Sequence, residues 1–162
     1  GAGRPVSEHC RFSRMTPPDS FLDTSVVVRA VIENLPDHRE ARSCLDRARR
    51  GTADIALSTH ALAELFATVT ALPTRPQHSP REAKALVDGV ADLLTVTELR
   101  HEDYASALDR MVEHGLSSGA IYDALHVVAA EKTEAAELVT FNGSDFRRMP
   151  PRGTTELTVL SW

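Results

Sequence analysis

The sequence predicts an α/β fold, a central parallel sheet of four to five strands flanked by helices, and three observations predict it. Short runs rich in apolar and β-branched residues alternate with longer helical segments, the order expected of βα units around a parallel sheet. The helical segments carry apolar residues at helical spacing, as in "THALAELFATVTAL", where Leu62, Leu65, Phe66, Val69 and Leu72 fall on one side. With 162 residues, 42% apolar and 25% charged, the chain has the length and composition of one soluble globular domain that needs no disulfide or metal to hold its core.

The elements follow in order. Residues 1–18 mix Gly, Pro, Ser and Arg without periodicity and read as a flexible N-terminal extension or expression remnant, with Met15 a plausible natural start. Residues 19–162 are expected to form a single domain. A first strand covers Ser20 to Asp23, and Thr24 or Ser25 caps a helix running to about Asn34, ahead of Pro36. "DHREARSCLDRARRG" is an amphipathic helix that Gly51 ends. "DIALS" is the second strand, followed by the helix already quoted and a loop, "PTRPQHSP", whose three prolines forbid regular structure. Ser79 then caps a helix with Pro80 at its first position. "LTVTEL" is the third strand and "HEDYASALDRMVEHG" a helix stopped by Gly115. "GAIYDALHVVAAEKT" is so apolar that it must be buried, "ELVTF" is a fourth strand and "ELTVLSW" a fifth.

Composition narrows the function classes. A formal net charge of −5 argues against a general cationic coat for nucleic acid, so any such surface must be local. The arginines at 39, 42, 47, 49 and 50 could track an RNA backbone, or form a solvated helix face interleaved with Asp46. Cys10 and Cys44 have no metal-ligand spacing and form no disulfide framework, which favours a reducing compartment. No apolar run reaches the ~18 residues of a membrane helix and the first twenty residues lack a signal-peptide core, so a cytoplasmic protein without a membrane partner is expected.

Four acids stand where acids are costly. In an open parallel sheet, ligands gather beyond the carboxyl ends of the strands. Asp23 ends the first strand, Glu64 lies one turn into the helix after the second, and Asp145 closely follows the fourth, so all three are expected at one rim. Asp123 is flanked by Ile121, Leu125, Val127 and Val128, which leave little of its helix for water, and the helix dipole offers only ~0.3–1 kcal/mol of help. Converging carboxylates raise one another's pKa values unless a cation joins them. Mg²⁺ or Mn²⁺ suits such an oxygen-rich pocket, and its natural chemistry is phosphodiester hydrolysis. Each acid also has a plainer role open to it: Asp23 as a helix cap, Glu64 as a surface residue, Asp145 in a short "SDF" turn, Asp123 as a hydrogen-bonded buried acid.

At these residues the chain resembles the PIN-domain ribonucleases, most closely the VapC-type toxins of bacterial toxin–antitoxin pairs. "LDTSVVV", "LSTHALAELF", "GAIYDALHVVAA" and "LVTFNGSDF" match the family's four acidic motifs in order, and the resemblance covers Ser20 to about Val159. It implies a PIN-like three-layer fold and an Mg²⁺- or Mn²⁺-dependent endoribonuclease with Asp23, Glu64, Asp123 and Asp145 as its site. By position, Asp23 and Asp123 are the principal metal ligands and Glu64 and Asp145 complete the pocket. Thr24 or Ser25, and Thr140 or Asn142, resemble the polar groups that orient the acids or the attacking water. An RNA substrate, a cognate antitoxin and a homodimer are implied as well.

Other classes remain to be separated. A PIN-fold RNA-processing nuclease outside any toxin–antitoxin pair would keep the same site, and a non-catalytic binding module would keep the fold alone. A nuclease working through His60, His101 or His126 would ignore chelators. A phosphoaspartate module is disfavoured because "LDTS" lacks a second aspartate two residues on. His126, three residues after Asp123, reads as a hydrogen-bonded structural histidine. The loop from Pro73 to Pro80 could border a substrate groove.

Overall fold

A computed structural model of the chain describes residues 16–160. The expected extension therefore lies outside the described residues as far as Met15, as does Cys10. Pro18 is buried, and its carbonyl accepts a hydrogen bond from the Ala136 N–H (3.0 Å), which ties the chain to the fold from that point.

Among the described residues five strands form one sheet: β1 (Ser20–Leu22), β2 (Ile55–Ser58), β3 (Thr95–Thr97), β4 (Glu137–Thr140) and β5 (Glu156–Val159). Their order is β3-β2-β1-β4-β5, and every neighbouring pair is parallel. Seven helices cover it: α1 (Thr24–Val31), α2 (His38–Arg49), α3 (Thr59–Ala71), α4 (Pro80–Leu93), α5 (His101–His114), α6 (Ala120–Lys132) and α7 (Gly143–Arg147).

Alternation along the strands makes three layers, because successive side chains point to opposite faces. Phe21, Ala56 and Leu138 join Val127, Ala129 and Ala130 of α6 and Phe146 of α7 on one face. Leu22, Ile55, Leu57 and Val139 join Val26, Leu45, Leu65 and Val90, from α1 to α4, on the other. β1 has three residues, yet it lies at the centre and is buried on both faces, as parallel strands are. Its register pairs Leu22 with Val139, so the next residues, Asp23 and Thr140, are brought side by side. A slip of one residue would turn Thr140 to the opposite face.

Three local expectations are corrected. The N-cap of α1 is Asp23 rather than Thr24 or Ser25, because the Asp23 carboxylate accepts from the Val26 N–H (3.3 Å). α1 ends at Val31 rather than near Asn34: Ile32 is extended (φ −109°, ψ 104°) and buries its side chain in the core, which continued helix would not allow. On α3 the inward stripe is Ala61, Leu65 and Val69, with Leu62 and Leu72 half-buried at its margin, whereas Phe66 is 38% exposed. Leu65 takes the inward direction, and Phe66 stands about 100° round the helix from it. The capping of α4 is as expected: Ser79 Oγ accepts from the Glu82 N–H (3.1 Å), and Glu82 Oε1 accepts from the Ser79 N–H (3.3 Å), with Pro80 opening the helix.

α6 is buried without interruption from Ala124 to Ala130 and is tied to α5 by ions. Arg110 Nη2 donates to both carboxylate oxygens of Glu131 (2.6 and 2.9 Å), and Lys132 donates to Asp103 (2.9 Å). Asp103 also accepts from the Arg100 N–H (2.7 Å). Burial alone would raise the Asp103 pKa, but that N–H and the Lys132 ammonium together hold it below the usual value. α6 leads into β4, so it runs back across the sheet with its first turn over the carboxyl ends of the strands.

Candidate active site

Asp23 follows the last residue of β1 and is also the N-cap of α1, so the cap and the rim position are one place. It is 2% exposed. Its Oδ1 accepts from Ser25 Oγ–H (2.6 Å) and the Val26 N–H (3.3 Å), and its Oδ2 from Thr140 Oγ–H (2.7 Å). These hydroxyls are themselves held: Ser25 Oγ accepts from the Phe141 N–H (3.1 Å) and Thr140 Oγ1 from the Asn142 N–H (2.9 Å). Burial raises the Asp23 pKa in spite of the nearby His126 and of these donors. Ser25 and Thr140 thus orient an acid with their hydroxyls, while Asn142 contributes through its backbone.

Thr140→Val keeps the shape of the strand but strips Oδ2 of its donor. An unsatisfied buried acceptor costs about 1–3 kcal/mol, so the variant is expected to unfold at correspondingly lower urea concentration. An unchanged urea midpoint would remove this bond from the account of how Asp23 is held.

Glu64 sits in the second turn of α3, which Ser58 caps from the end of β2 (Ala61 N–H to Ser58 Oγ, 3.2 Å). Its Oε1 accepts from His126 Nε2–H (2.9 Å), and His60 Nε2 lies 3.0 Å away without lining up for a hydrogen bond. His126 is buried, with Thr24 Oγ1 3.3 Å from Nε2 and Ser58 Oγ 3.5 Å from Nδ1. Burial would raise the Glu64 pKa, but the two imidazoles and Thr24 bring it below its ordinary value. Burial works against charge on His126, yet Glu64, Asp23 and Asp123 lift its pKa. Thr24 therefore serves the Glu64–His126 pair rather than Asp23.

Asp123 lies in the first turn of α6, half-buried. Burial is the largest cause that pushes its pKa up to about 6; His126 opposes this, and the charges of Asp145, Asp23 and Glu64 add to it. The three other acids are thus close enough to act on its carboxyl. Asp145, on α7, is the most open: its side chain is 46% exposed and lies 3.5 Å from Arg148. α7 comes close to β5 at Gly143, where a Cβ would stand 2.9 Å from a methyl carbon of Val159.

Sequence reasoning did not single out Ser58 or Tyr122, and it placed His60 with the histidines rather than with Glu64. Ser58 repeats at the end of β2 the position of Asp23 at the end of β1, and His60 precedes Glu64 by one helical turn. Tyr122 stacks on His60 with ring centroids 5.0 Å apart and planes within 10°. On α2, Arg42 and Arg49 turn to Asp46 (3.8 and 3.0 Å), the arrangement of a solvated helix face. A cavity of about 580 Å³ lies across β3 and the far end of α6, between Thr95–Glu98 and Lys132–Glu134, and none of the four acids lines it.

The donor set fits a hard divalent cation. Its donors are all carboxylate oxygens; burial raises the pKa of Asp23, and burial with the neighbouring acids raises that of Asp123, costs that a cation would relieve. Among the described residues no three acid, histidine or cysteine side chains form a ready metal-holding group. Asp23 and Glu64 are turned instead toward hydroxyl and imidazole partners. None of the helices formed by the described residues is long and apolar enough to cross a membrane.

An open parallel sheet of order β3-β2-β1-β4-β5, with Asp23 just past the end of its central strand, has the architecture of an α/β domain that binds its ligand at the strand ends. The PIN domain profile matches residues 20–150, and the chain belongs to the PIN domain family. PIN nucleases generally use divalent metal ions. No curated relative matches the sequence. Among solved structures, the chain is similar to VapBC2 from Rickettsia felis bound to a DNA fragment from its promoter, at 21% identity and a TM-score of 0.62, covering 88% of this chain and 98% of that one. It is similar also to VapC20 from Mycobacterium tuberculosis, a sarcin-ricin loop cleaving toxin, at 18% identity and a TM-score of 0.64 over 80% of this chain and 95% of that one. FitAcB from Neisseria gonorrhoeae matches at 17% identity and a TM-score of 0.54, over 86% and 96% of the two chains.

Proposed function

We propose that this chain is a divalent-metal-dependent endoribonuclease and the toxin of a toxin–antitoxin pair. The observation that carries the reading is the gathering of acids round one buried imidazole in a PIN domain: Glu64 Oε1 lies 2.9 Å from His126 Nε2, Thr24 next to Asp23 lies 3.3 Å from it, and Asp123 stands one turn before His126 on the same helix. Asp23 and Asp123 would hold the ion, Mg²⁺ or Mn²⁺, with Glu64 and Asp145 completing the pocket. Once bound, the ion supplies charge neutralisation at the scissile phosphate and acidifies the attacking water.

The chain's own residues do the positioning. Ser25 and Thr140 fix both oxygens of Asp23, so its carboxylate meets a ligand without first losing side-chain freedom. His126 anchors Glu64 from beneath. It is 1% exposed and its ring nitrogens face Glu64, Thr24 and Ser58, which leaves it no approach to an RNA 2′-hydroxyl and disfavours a nuclease working through His126. Asp145, at the open side, is where substrate enters.

The protein partners are an antitoxin and a second copy. Similarity to VapBC complexes supports the first. For the second, α5 carries Tyr104, Leu108 and Val112 one turn apart on one face, 42%, 56% and 82% exposed, an apolar stripe suited to self-association. Sedimentation of the purified chain as a monomer at micromolar concentration would remove the homodimer. We place the protein in the cytoplasm, with its RNA.

The reading is tested by incubating a mixed RNA pool with the purified chain in Mg²⁺, in Mn²⁺ and in EDTA. Cleavage with either ion that stops in EDTA is the expected result. Cleavage that persists in EDTA, and survives repurification, would overturn the metal mechanism.

A further inference from the structure

The Tyr122–His60 stack is not accounted for by the core or by the acids. Tyr122 belongs to none of the three apolar clusters and is 50% exposed, yet its ring has a stacking partner. One face lies against His60 at 5.0 Å, and His60 in turn stands 6.1 Å from the buried, hydrogen-bonded His126. The backbone of Tyr122 is in the first turn of α6, and the next residue is Asp123. A half-exposed aromatic ring, stacked on a histidine that lies 3.0 Å from Glu64, thus borders the acidic site.

We propose that Tyr122 is the platform on which an unpaired nucleobase stacks, next to the scissile phosphate. This rests on the nuclease reading and adds to it the side chain that holds a base beside the cut. The chain has a net charge of −5 and an acidic site, so phosphate attraction alone is a poor source of affinity. Stacking supplies affinity that does not depend on charge, and any base offers a π-face for it. A base inside a duplex has both faces covered by its neighbours, whereas a loop or splayed base has one to give. Tyr122 directly precedes Asp123, so the stacked base belongs to a nucleotide adjoining the phosphate held there.

The test measures binding without cleavage. Asp123→Asn protein in Mg²⁺ is titrated into a labelled single-stranded oligoribonucleotide carrying a fluorescent purine analogue, and into the same sequence as a duplex. The single strand is expected to bind more tightly than the duplex, with quenching of the analogue. Adding Tyr122→Ala should weaken binding about 5- to 100-fold and abolish the quenching. Tyr122→Phe should bind as the parent does. Tyr122→Leu keeps apolar cover over His60 without a π-face and should behave like the alanine variant while melting like the parent. Equal affinity of the alanine and phenylalanine variants, full binding by the leucine variant, or preference for the duplex would overturn the platform and leave the nuclease reading standing. If the parent binds no RNA and the wild type cuts none, both fall.

Discussion

An Asp123→Asn variant is expected to lose RNA cleavage by more than about 100-fold, because even outer-sphere changes at metal sites cost 10- to 100-fold. Initial rates of both proteins on one RNA in Mg²⁺ read the effect, and a variant that cut at the wild-type rate would take Asp123 out of the mechanism. The same substitution should stabilise the metal-free protein at neutral pH. The fold pushes the Asp123 pKa from 3.8 up to about 6, through burial and three neighbouring acids. Below the lower value the carboxyl is protonated folded and unfolded alike, and it contributes nothing to pH dependence. Between the two the unfolded chain ionises while the folded one does not, so stability falls as pH rises. Above about 6 the whole penalty stands. For an enclosed group a difference of about two pH units is worth roughly 3 kcal/mol, and partial exposure reduces this to about 1–2 kcal/mol. Urea unfolding in EDTA should show variant and wild type level at pH 4 and the variant ahead at pH 8, with Mg²⁺ narrowing the gap. A variant that trailed the wild type at pH 8 in EDTA would contradict the repulsion argument.

Glu131→Gln is expected to be the most destabilising single change outside the site. Arg110 and Glu131 have side chains only 12% and 16% exposed, and both Glu131 oxygens are taken by one guanidinium nitrogen. Removing one charge of such a pair leaves the other stranded, at about 3–5 kcal/mol, which for a domain of this size lowers Tm by roughly 6–12 °C or more. The double change Arg110→Met with Glu131→Leu removes both charges and should come out near neutral. Calorimetry on the three proteins separates the cost of a stranded charge from the worth of the pair. A Glu131→Gln protein as stable as the wild type would show that water already reaches this pair. The pair matters to the site because it ties α5 to the helix that carries Asp123 and His126.

Much of this was legible in the chain because the signals are local. Alternating short apolar runs and helical stripes mark the strands and helices in order, and Ser79-Pro80 with Glu82 marks a helix start that the fold reproduces. Asp23 and Asp123 stood out for a local reason too: one ends a strand and the other lies in an apolar helix, and the fold buries the first and half-buries the second. Where local reading failed, a distant residue decided. Ile32 leaves the helix to enter the core, and Leu65 displaces Phe66 from the inward face. Thr24 could be read as a cap or an orienting group for Asp23, but its hydroxyl goes to a histidine 102 residues away.

The sequence by itself determined the class of fold and the order of its elements, because periodicity is written in neighbouring residues. Only the tertiary structure decided that the three-residue β1 is the central strand, that Leu22 pairs with Val139 so that Asp23 meets Thr140, and that Glu64 is held by His126 with His60 and Tyr122 stacked beside it. Strand order and register arise from packing both faces of the sheet at once, and a hydrogen bond between residues 62 apart has no local signature at all.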